Sequence, residues 1–143
     1  MNKTTVIIGL LVTICFQYFA FGQQAIKRDI FVEPYQGKVF NGGDLDPVIT
    51  VFKTSPTGEL TGAYIINEGE NIEKGTLSNF EWKSDYTLVC TWKDKYGDGI
   101  LRILFAADFS RFEGFWGESS KTATLSWSGL RQKLGDRKID GYQ

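Results

Sequence analysis

Eight short runs of residues alternate apolar and polar side chains along most of this 143-residue chain. Alternation with a period of two is typical of strands that bury one face and expose the other. No stretch of ten or more residues keeps an apolar period of 3.6, so a long helix is not expected. The pattern predicts strands at 30–35, 47–53, 60–66, 72–80, 86–93, 100–107, 111–117 and 122–131.

Turn-forming residues separate these runs. Gly, Pro, Asn, Asp and Ser cluster at 55–58, 67–69, 83–85, 98–99 and 108–110, which is the chemistry of hairpin turns. Asp98-Gly99 predicts a type I′ turn, whose two central residues both need a positive φ. Such short connections join neighbouring strands antiparallel. We therefore expect an all-β fold, a single antiparallel meander of about eight strands that closes into a small barrel, with a two-sheet sandwich as the alternative.

The alternation also assigns side chains to an inner and an outer face of the barrel. In the run 100–107, Leu101, Ile103 and Phe105 share one face, and Arg102 marks the opposite face as the one in contact with solvent. Similar rows carry an inward aromatic residue in three other runs, and Trp92 in the run 86–93 adds a further ring. Together they predict an aromatic inner lining formed by Tyr64, Trp92, Phe105, Trp116 and Trp127.

This lining has two interpretations. Side chains alone can fill the interior of an eight-stranded barrel, so aromatic rows are commonly ordinary core. Aromatic walls around an open interior would instead bind a small apolar or amphipathic ligand. The sequence leaves both interpretations open.

The first 22 residues have the layout of a signal peptide. Lys3 precedes the apolar run 6–16, and Ala20 and Gly22 place small residues two apart. The run falls short of the roughly 20 residues of a spanning helix, although a retained anchor remains an alternative. We expect a signal peptide at 1–22, a β-barrel domain at 23–131 and a polar tail at 132–143, in a secreted or periplasmic protein whose mature chain has no membrane span.

Composition narrows the possible chemistry. The chain has no histidine, which removes the commonest general base and the commonest transition-metal ligand. Its mature part would carry 17 acidic and 15 basic residues, and it has no basic run that would bind a phosphate backbone. Cys90, on the same strand face as Leu88 and Trp92, is expected to be a buried thiol. We therefore expect no enzyme activity, no cofactor, no metal site and no nucleic-acid partner.

Four short segments carry a family resemblance: Gly-Lys-Val-Phe-Asn at 37–41, Gly-Glu-Leu-Thr-Gly-Ala-Tyr at 58–64, Cys-Thr-Trp-Lys at 90–93 and Phe-Glu-Gly at 112–114. They resemble strand motifs of the avidin family and, more broadly, of the lipocalin-type calycin barrels. The resemblance implies a calycin-like barrel with a ligand inside it. The residues that match avidin-like positions contacting the ring system of biotin are Asn41, Tyr64, Trp92 and Trp127.

The chain also departs from the avidin pattern. Val39 stands where that family has a tryptophan, and Ile66 stands where it has a serine. The resemblance therefore favours the barrel more than it favours biotin. From the lipocalin-like barrels it further implies that Arg131, near the end of the last strand, covers the ring of Trp127 or Trp116 by a cation–π contact, and a plain surface arginine is the alternative.

Two functions are expected from these observations. The first is an exported, non-enzymatic binding protein whose ligand is held by Asn41, Tyr64, Trp92, Phe105, Trp116, Trp127 and Arg131. The second is a surface interaction module with a solid core, in which the exposed aromatics expected at Tyr35, Trp82 and Tyr96 bind a glycan or a protein. A carboxylate enzyme, the third alternative, would need two acids projecting into one cavity.

Overall fold

The computed structural model describes residues 33–133, which form a closed β-barrel. Each strand pairs antiparallel with the next, and the last strand pairs with the first. The predicted all-β meander is confirmed, and it closes as a barrel and not as a sandwich. The strands are β1 (Tyr35–Asn41), β2 (Asp44–Thr54), β3 (Leu60–Glu68), β4 (Asn71–Trp82), β5 (Thr87–Asp94), β6 (Gly97–Phe105), β7 (Arg111–Gly117) and β8 (Leu125–Arg131).

The described range does not cover every expectation. The signal peptide expected at 1–22 and most of the tail expected at 132–143 lie outside the described residues. Within residues 33–133 there is no helix with the length and apolar character that crossing a membrane requires.

The predicted inner and outer faces are confirmed along the central strands. On β6, Leu101 and Ile103 are fully buried, whereas Arg102 is exposed. On β5, Leu88 and Cys90 point inward and are buried, and Cys90 is a free thiol. Burying each large apolar side chain of this kind stabilises the fold by about 1.5–3 kcal/mol.

The first strand of the described residues, β1, begins at the end of the strand predicted at 30–35. Glu33 and Pro34 are not in a strand, and residues 30–32 of the prediction lie outside the described residues. Gly37 and Lys38 weaken the strand pattern of this segment, because both residue types are depleted in strands. Closure of the barrel explains the glycine, since a Cβ on Gly37 would lie 1.9 Å from the backbone oxygen of Ser128 on β8.

The type I′ turn predicted at residues 98–99 is wrong. The turn between β5 and β6 consists of residues 95–96. Asp94 stabilises it, because its Oδ1 accepts a hydrogen bond from the backbone N–H of Tyr96 at 2.9 Å. Gly99 lies inside β6, where a Cβ would come within 2.1 Å of a β7 carbonyl oxygen. That glycine therefore serves close packing between strands and not a turn.

Three inward aromatic rings lie directly opposite a glycine of the neighbouring strand. A Cβ on Gly75 would lie 2.1 Å from Cζ of Tyr64, and one on Gly129 would lie 2.3 Å from Cε1 of Phe112. A ring that covers a bare glycine backbone compensates for the missing side chain of the glycine. The cross-strand pairs are Tyr64 with Gly75, Trp92 with Gly99, and Phe112 with Gly129.

The interior of the barrel differs between its two ends. One end carries the turns at 55–59, 83–86 and 106–110, and aromatic rings pack against one another there with centroids 5.2–6.4 Å apart. We call these rings the aromatic cluster and this end the cluster end. The aromatic cluster consists of Tyr35, Phe52, Phe80, Trp82, Tyr86, Phe105, Phe109 and Phe112.

The opposite end of the barrel carries the turns at 42–43, 69–70 and 95–96 and the loop at 118–124. We call it the cavity end.

Candidate functional site

A cavity of about 70 Å³ lies at the cavity end of the barrel. Its walls are aromatic, its aliphatic contacts come from Val39 and Ile66, and its polar groups come from Asn41 and Asp94. The structure thus brings together five of the seven residues proposed from the sequence as ligand contacts. These five are Asn41, Tyr64, Trp92, Trp116 and Trp127.

The lining residues lie at different depths. Tyr64 and Trp127 are each only 2% exposed and form the deepest part of the cavity. Asn41, Asp94 and Trp116 are half-buried, as expected for residues between the interior and the entrance. Tyr96, on the β5–β6 turn, lines the cavity but is 72% exposed. The cavity is therefore reached from solvent past Tyr96, and its buried part is lined by aromatic and aliphatic side chains.

The four aromatic walls form two perpendicular pairs. The ring centroids of Tyr64 and Trp127 are 4.8 Å apart with an interplanar angle of 84°. Those of Trp92 and Trp116 are 5.3 Å apart at 88°. Edge-to-face pairs of this kind contribute about 0.5–1.5 kcal/mol beyond the area that they bury. Each wall is thus held in place by its neighbour.

The indole N–H groups of the three cavity tryptophans all donate to acceptors of the barrel itself. Trp92 Nε1 donates to the backbone oxygen of Gly117, and Trp116 Nε1 donates to that of Phe40, both at 3.1 Å. Trp127 Nε1 donates to the buried hydroxyl of Thr50 at 3.0 Å. These bonds fix the ring orientations. They also use up the donor of each indole, since an indole has one N–H and no acceptor.

The two polar groups of the cavity are also joined to the barrel. The hydroxyl of Tyr64 donates to Oδ2 of Asp94 at 2.7 Å, and Nδ2 of Asn41 donates to Oε1 of Glu68. Burial, and then the hydrogen bond to Asp94, raise the pKa of Tyr64, so its hydroxyl stays protonated. The atoms left for a ligand are mainly acceptors, namely the remaining lone pairs of Asp94 and Oδ1 of Asn41.

An ion pair between a buried carboxylate and an exposed ammonium group lies at the cavity end. Glu73 is 3% exposed, and its Oε2 lies 2.9 Å from Nζ of Lys95. The hydrogen bond to Glu73 is the main cause of the raised pKa of Lys95. The same ammonium group lies 4.7 Å from the ring centroid of Tyr96 at the cavity entrance. Lys95 therefore compensates the buried charge of Glu73, while Asp94 forms no salt bridge with any residue in the range 33–133.

The other two proposed contacts, Phe105 and Arg131, lie at the opposite end of the barrel. Phe105 belongs to the aromatic cluster and packs against Phe112 with a centroid distance of 5.8 Å. Nε of Arg131 lies 3.8 Å from Oε2 of Glu33. Among residues 33–133, the recorded cation–π contact is between Lys95 and Tyr96 and does not involve Arg131. Neither Phe105 nor Arg131 lines the cavity.

The aromatics expected on the surface are in three different environments. Tyr35 is fully buried, so its expected exposure is wrong. Its ring packs in the aromatic cluster, and its hydroxyl donates to the backbone oxygen of Phe109 at 2.8 Å. Trp82 is half-buried with its ring 6.0 Å from that of Phe105. Tyr96 is exposed as expected.

Sequence reasoning missed four residues that line the cavity: Val39, Ile66, Asp94 and Tyr96. The signal for Asp94 was available, because it follows Trp92 by two positions on the same strand and so shares its inward face. Tyr96 had no such signal, since its place depends on where the turn lies. Within the described range no three His, Cys, Asp or Glu residues are grouped in a way that would hold a metal ion.

Comparisons of the chain with protein-family models, with curated protein sequences and with solved structures give no match. The barrel and its cavity are therefore the basis on which a function is inferred.

Proposed function

We propose that this protein is a non-enzymatic binding protein that takes a small amphipathic molecule, or the compact end of a larger one, into the cavity. The observation that carries the proposal is a cavity with four fixed aromatic walls and two polar side chains, Asn41 and Asp94. Apolar walls with a few placed polar groups are typical of small-molecule sites. The walls are also rigid before a ligand arrives, which lowers the entropic cost of binding.

The size of the cavity limits what it holds. Sites for drug-sized molecules usually measure about 300–1,000 Å³, whereas this cavity measures about 70 Å³. The aromatic cluster and buried aliphatic side chains such as Leu101 and Ile103 occupy the rest of the interior. A long acyl chain along the barrel axis is therefore not expected. The proposed ligand places one compact group inside and leaves the remainder outside.

The resemblance to calycin-type barrels supports this proposal. Asn41, Tyr64, Trp92 and Trp127, which match avidin-like ligand positions, all line the same cavity here. Val39 and Ile66, which replace a tryptophan and a serine of that family, line it too. Because of these two replacements, the walls of this cavity differ from those of the avidin-family site, so the proposed ligand differs from biotin.

We propose that the protein binds its ligand without catalysing a reaction. The chain has no histidine. Cys90 is buried outside the cavity, and desolvation raises the pKa of its thiol to about 12, which disfavours the nucleophilic thiolate. Among the described residues, Asp94 is the acid that lines the cavity, whereas hydrolysis by two carboxylates needs a pair. These features favour a binding role.

We also propose that the protein acts outside the cytoplasm, after export and removal of residues 1–22. The charge, apolar run and small residues of this segment support the proposal. The surface-module alternative has less support, because Tyr35 is buried and Trp82 packs in the aromatic cluster.

Intrinsic tryptophan fluorescence tests the proposed site directly. Three of the four tryptophans of the chain line the cavity, and the fourth, Trp82, lies at the other end. The purified protein would be titrated with biotin, fatty acids, retinoids, short oligosaccharides and small amphipathic amines and acids. We expect saturable quenching by a compact amphipathic compound, retained in Trp82→Phe and lost in Trp116→Ala.

The two variants separate binding from folding. Trp82→Phe removes the distant fluorophore, so the response that remains comes from the cavity. Trp116→Ala opens one wall, and its urea unfolding curve shows whether it is still folded. A flat response of the parent protein to the whole series would overturn the proposed function.

A further inference from the structure

We propose that the group bound in the cavity is cationic, a primary or methylated ammonium group that lies among the aromatic walls and against the carboxylate of Asp94. This inference rests on the proposed function and names the class of its ligand. It starts from the hydrogen-bond directions in the cavity, which leave acceptors and almost no donors.

Most donors of the cavity are already used, and the second N–H of the Asn41 amide is one that remains. The three indole N–H groups and the hydroxyl of Tyr64 donate to barrel atoms at 2.7–3.1 Å. An anionic or purely accepting ligand group would find few hydrogen bonds here and would lose its hydration without compensation. A ligand group that itself brings positive charge or N–H donors needs only acceptors and aromatic rings.

Asp94 supplies the negative charge. It lines the cavity, is half-buried and forms no salt bridge with another residue of the range 33–133. Its Oδ2 accepts a hydrogen bond from the hydroxyl of Tyr64, and its Oδ1 accepts one from the backbone N–H of Tyr96. These two bonds hold the carboxylate in a fixed orientation. A carboxylate has about four acceptor positions, so lone pairs remain for a bound ammonium group.

The aromatic walls supply the second attraction. Cations are attracted to the faces of Trp and Tyr rings, and aromatic cages are a common way to bind methylated ammonium groups. The entrance already shows this chemistry, since the ammonium of Lys95 lies against the ring of Tyr96 and the carboxylate of Glu73. A compact ammonium group is also of a size that a cavity of about 70 Å³ admits.

The charge around the entrance favours the approach of cations. The turns of the cavity end with their flanking residues, 41–44, 68–71, 94–97 and 118–124, contain five carboxylates and two lysines. A surface of one dominant sign raises the local concentration of opposite charges and the rate of association, and this effect weakens with added salt.

The test uses choline and its neutral isostere 3,3-dimethylbutan-1-ol, which have nearly the same shape but differ in charge. Binding of each to the purified protein would be measured by tryptophan fluorescence and by calorimetry, at low and high salt. We expect choline to bind at least about tenfold more tightly than the alcohol and to lose affinity as salt is raised.

Two variants locate the charge. Asp94→Asn keeps the size of the side chain and removes its charge, and we expect it to weaken choline binding at least about tenfold. Asp98→Asn removes an exposed acid of the same hairpin that does not line the cavity, and we expect less than about a twofold change.

The outcomes distinguish this inference from the proposed function. If the alcohol binds as tightly as choline, the cationic specificity is overturned and the binding function stands. If choline binds but Asp98→Asn weakens it as much as Asp94→Asn, the effect is general charge and the assignment to Asp94 is overturned. If neither compound nor any other in the fluorescence series binds, both proposals fail. The comparison of the two compounds needs no variant, so it holds even if Asp94→Asn does not fold.

Discussion

Aromatic side chains point inward at both ends of this barrel, but they fill the interior at one end and leave a cavity at the other. At one end the aromatic cluster packs ring on ring, and Tyr35 and Phe52 are fully buried. At the other end five aromatic residues line a cavity of about 70 Å³. The difference lies in their polar atoms, because the cavity end uses three tryptophans whose N–H groups must be satisfied.

This difference suggests how a small barrel combines stability with a site. Phenylalanine has no polar atom and is free to fill space, so the cluster end stabilises the fold. The tryptophans are tied to backbone and hydroxyl oxygens of the barrel, so they cannot turn into the cavity to fill it. The charges differ as well, since the turns of the cavity end carry a larger excess of carboxylates than those at 54–60, 82–87 and 105–111.

The largest effect is expected from truncating one ring at each end of the same strand. Phe112 and Trp116 both point inward from β7. Phe112→Ala removes a ring that is 2% exposed and should lower the free energy of unfolding by about 3–5 kcal/mol. Trp116→Ala removes a half-buried ring beside an existing cavity and should cost about 1–3 kcal/mol. Urea unfolding measures both, and equal losses would contradict the division between the two ends.

A second comparison adds a methyl group beneath one ring at each end. Gly129→Ala pushes against Phe112, which is enclosed by other rings, and should cost about 1–3 kcal/mol. Gly75→Ala pushes against Tyr64, whose ring borders the cavity, so the displaced ring enters empty space but loses its hydrogen bond to Asp94. We expect a smaller stability loss for Gly75→Ala but weaker ligand binding. Unfolding and binding titrations of both variants check this, and a larger stability loss for Gly75→Ala would count against it.

The buried tyrosine of the cluster end, Tyr35, should make the free energy of unfolding depend on pH in the alkaline range. Burial raises the pKa of Tyr35 from the ordinary 10 to about 12. The folded protein then keeps a proton that the unfolded chain loses, so the free energy of unfolding falls as the pH rises from 10 through 12. Urea unfolding at about pH 9 and about pH 11 measures this fall. Tyr35→Phe has no such proton and should show a smaller fall, and an equal fall in both proteins would contradict the assignment.

The smallest effects are expected at the exposed tyrosine of each end. Tyr96→Ala removes a ring that is 72% exposed and should change stability by less than about 0.5 kcal/mol. Tyr86 is 44% exposed and its ring lies 5.7 Å from that of Phe109, so Tyr86→Ala should cost about 1 kcal/mol. Thermal unfolding of the two variants side by side separates these values. A larger loss for Tyr96→Ala would show that the rim of the cavity also stabilises the fold.

Much of the fold could be predicted because alternation is a local property. The inward positions of Leu101, Ile103 and Cys90 follow from counting along one strand, and the structure has them buried. β1 was not predicted beyond Tyr35, because Gly37 and Lys38 are residue types depleted in strands and the close approach that requires a glycine at 37 is made by β8. The turn at 95–96 was missed because Gly99 looked like a turn residue, although its use is the close approach of β7.

The candidate site shows the same limit. The sequence proposed seven contacts, and five of them line one cavity. Phe105 shares the inward face of β6, but position along the strand places it at the other end, and alternation carries no information on that distance. Arg131 is likewise placed away from the cavity by its position along its strand, since it lies at the end of β8 beside Glu33. Asp94 was within reach of the alternation pattern, whereas Tyr96 depended on the turn.

The sequence by itself determined the class of the fold, the inward faces of its strands and the residues available for an aromatic lining, because each depends on the period of two along a strand. Only the tertiary structure decided which rings meet, since closure of β1 on β8 brings side chains that are far apart in the chain into one interior. It also decided that the interior is filled at one end and hollow at the other, because each ring is positioned by a partner on another strand. Tyr64 lies over Gly75, and Trp127 donates to Thr50.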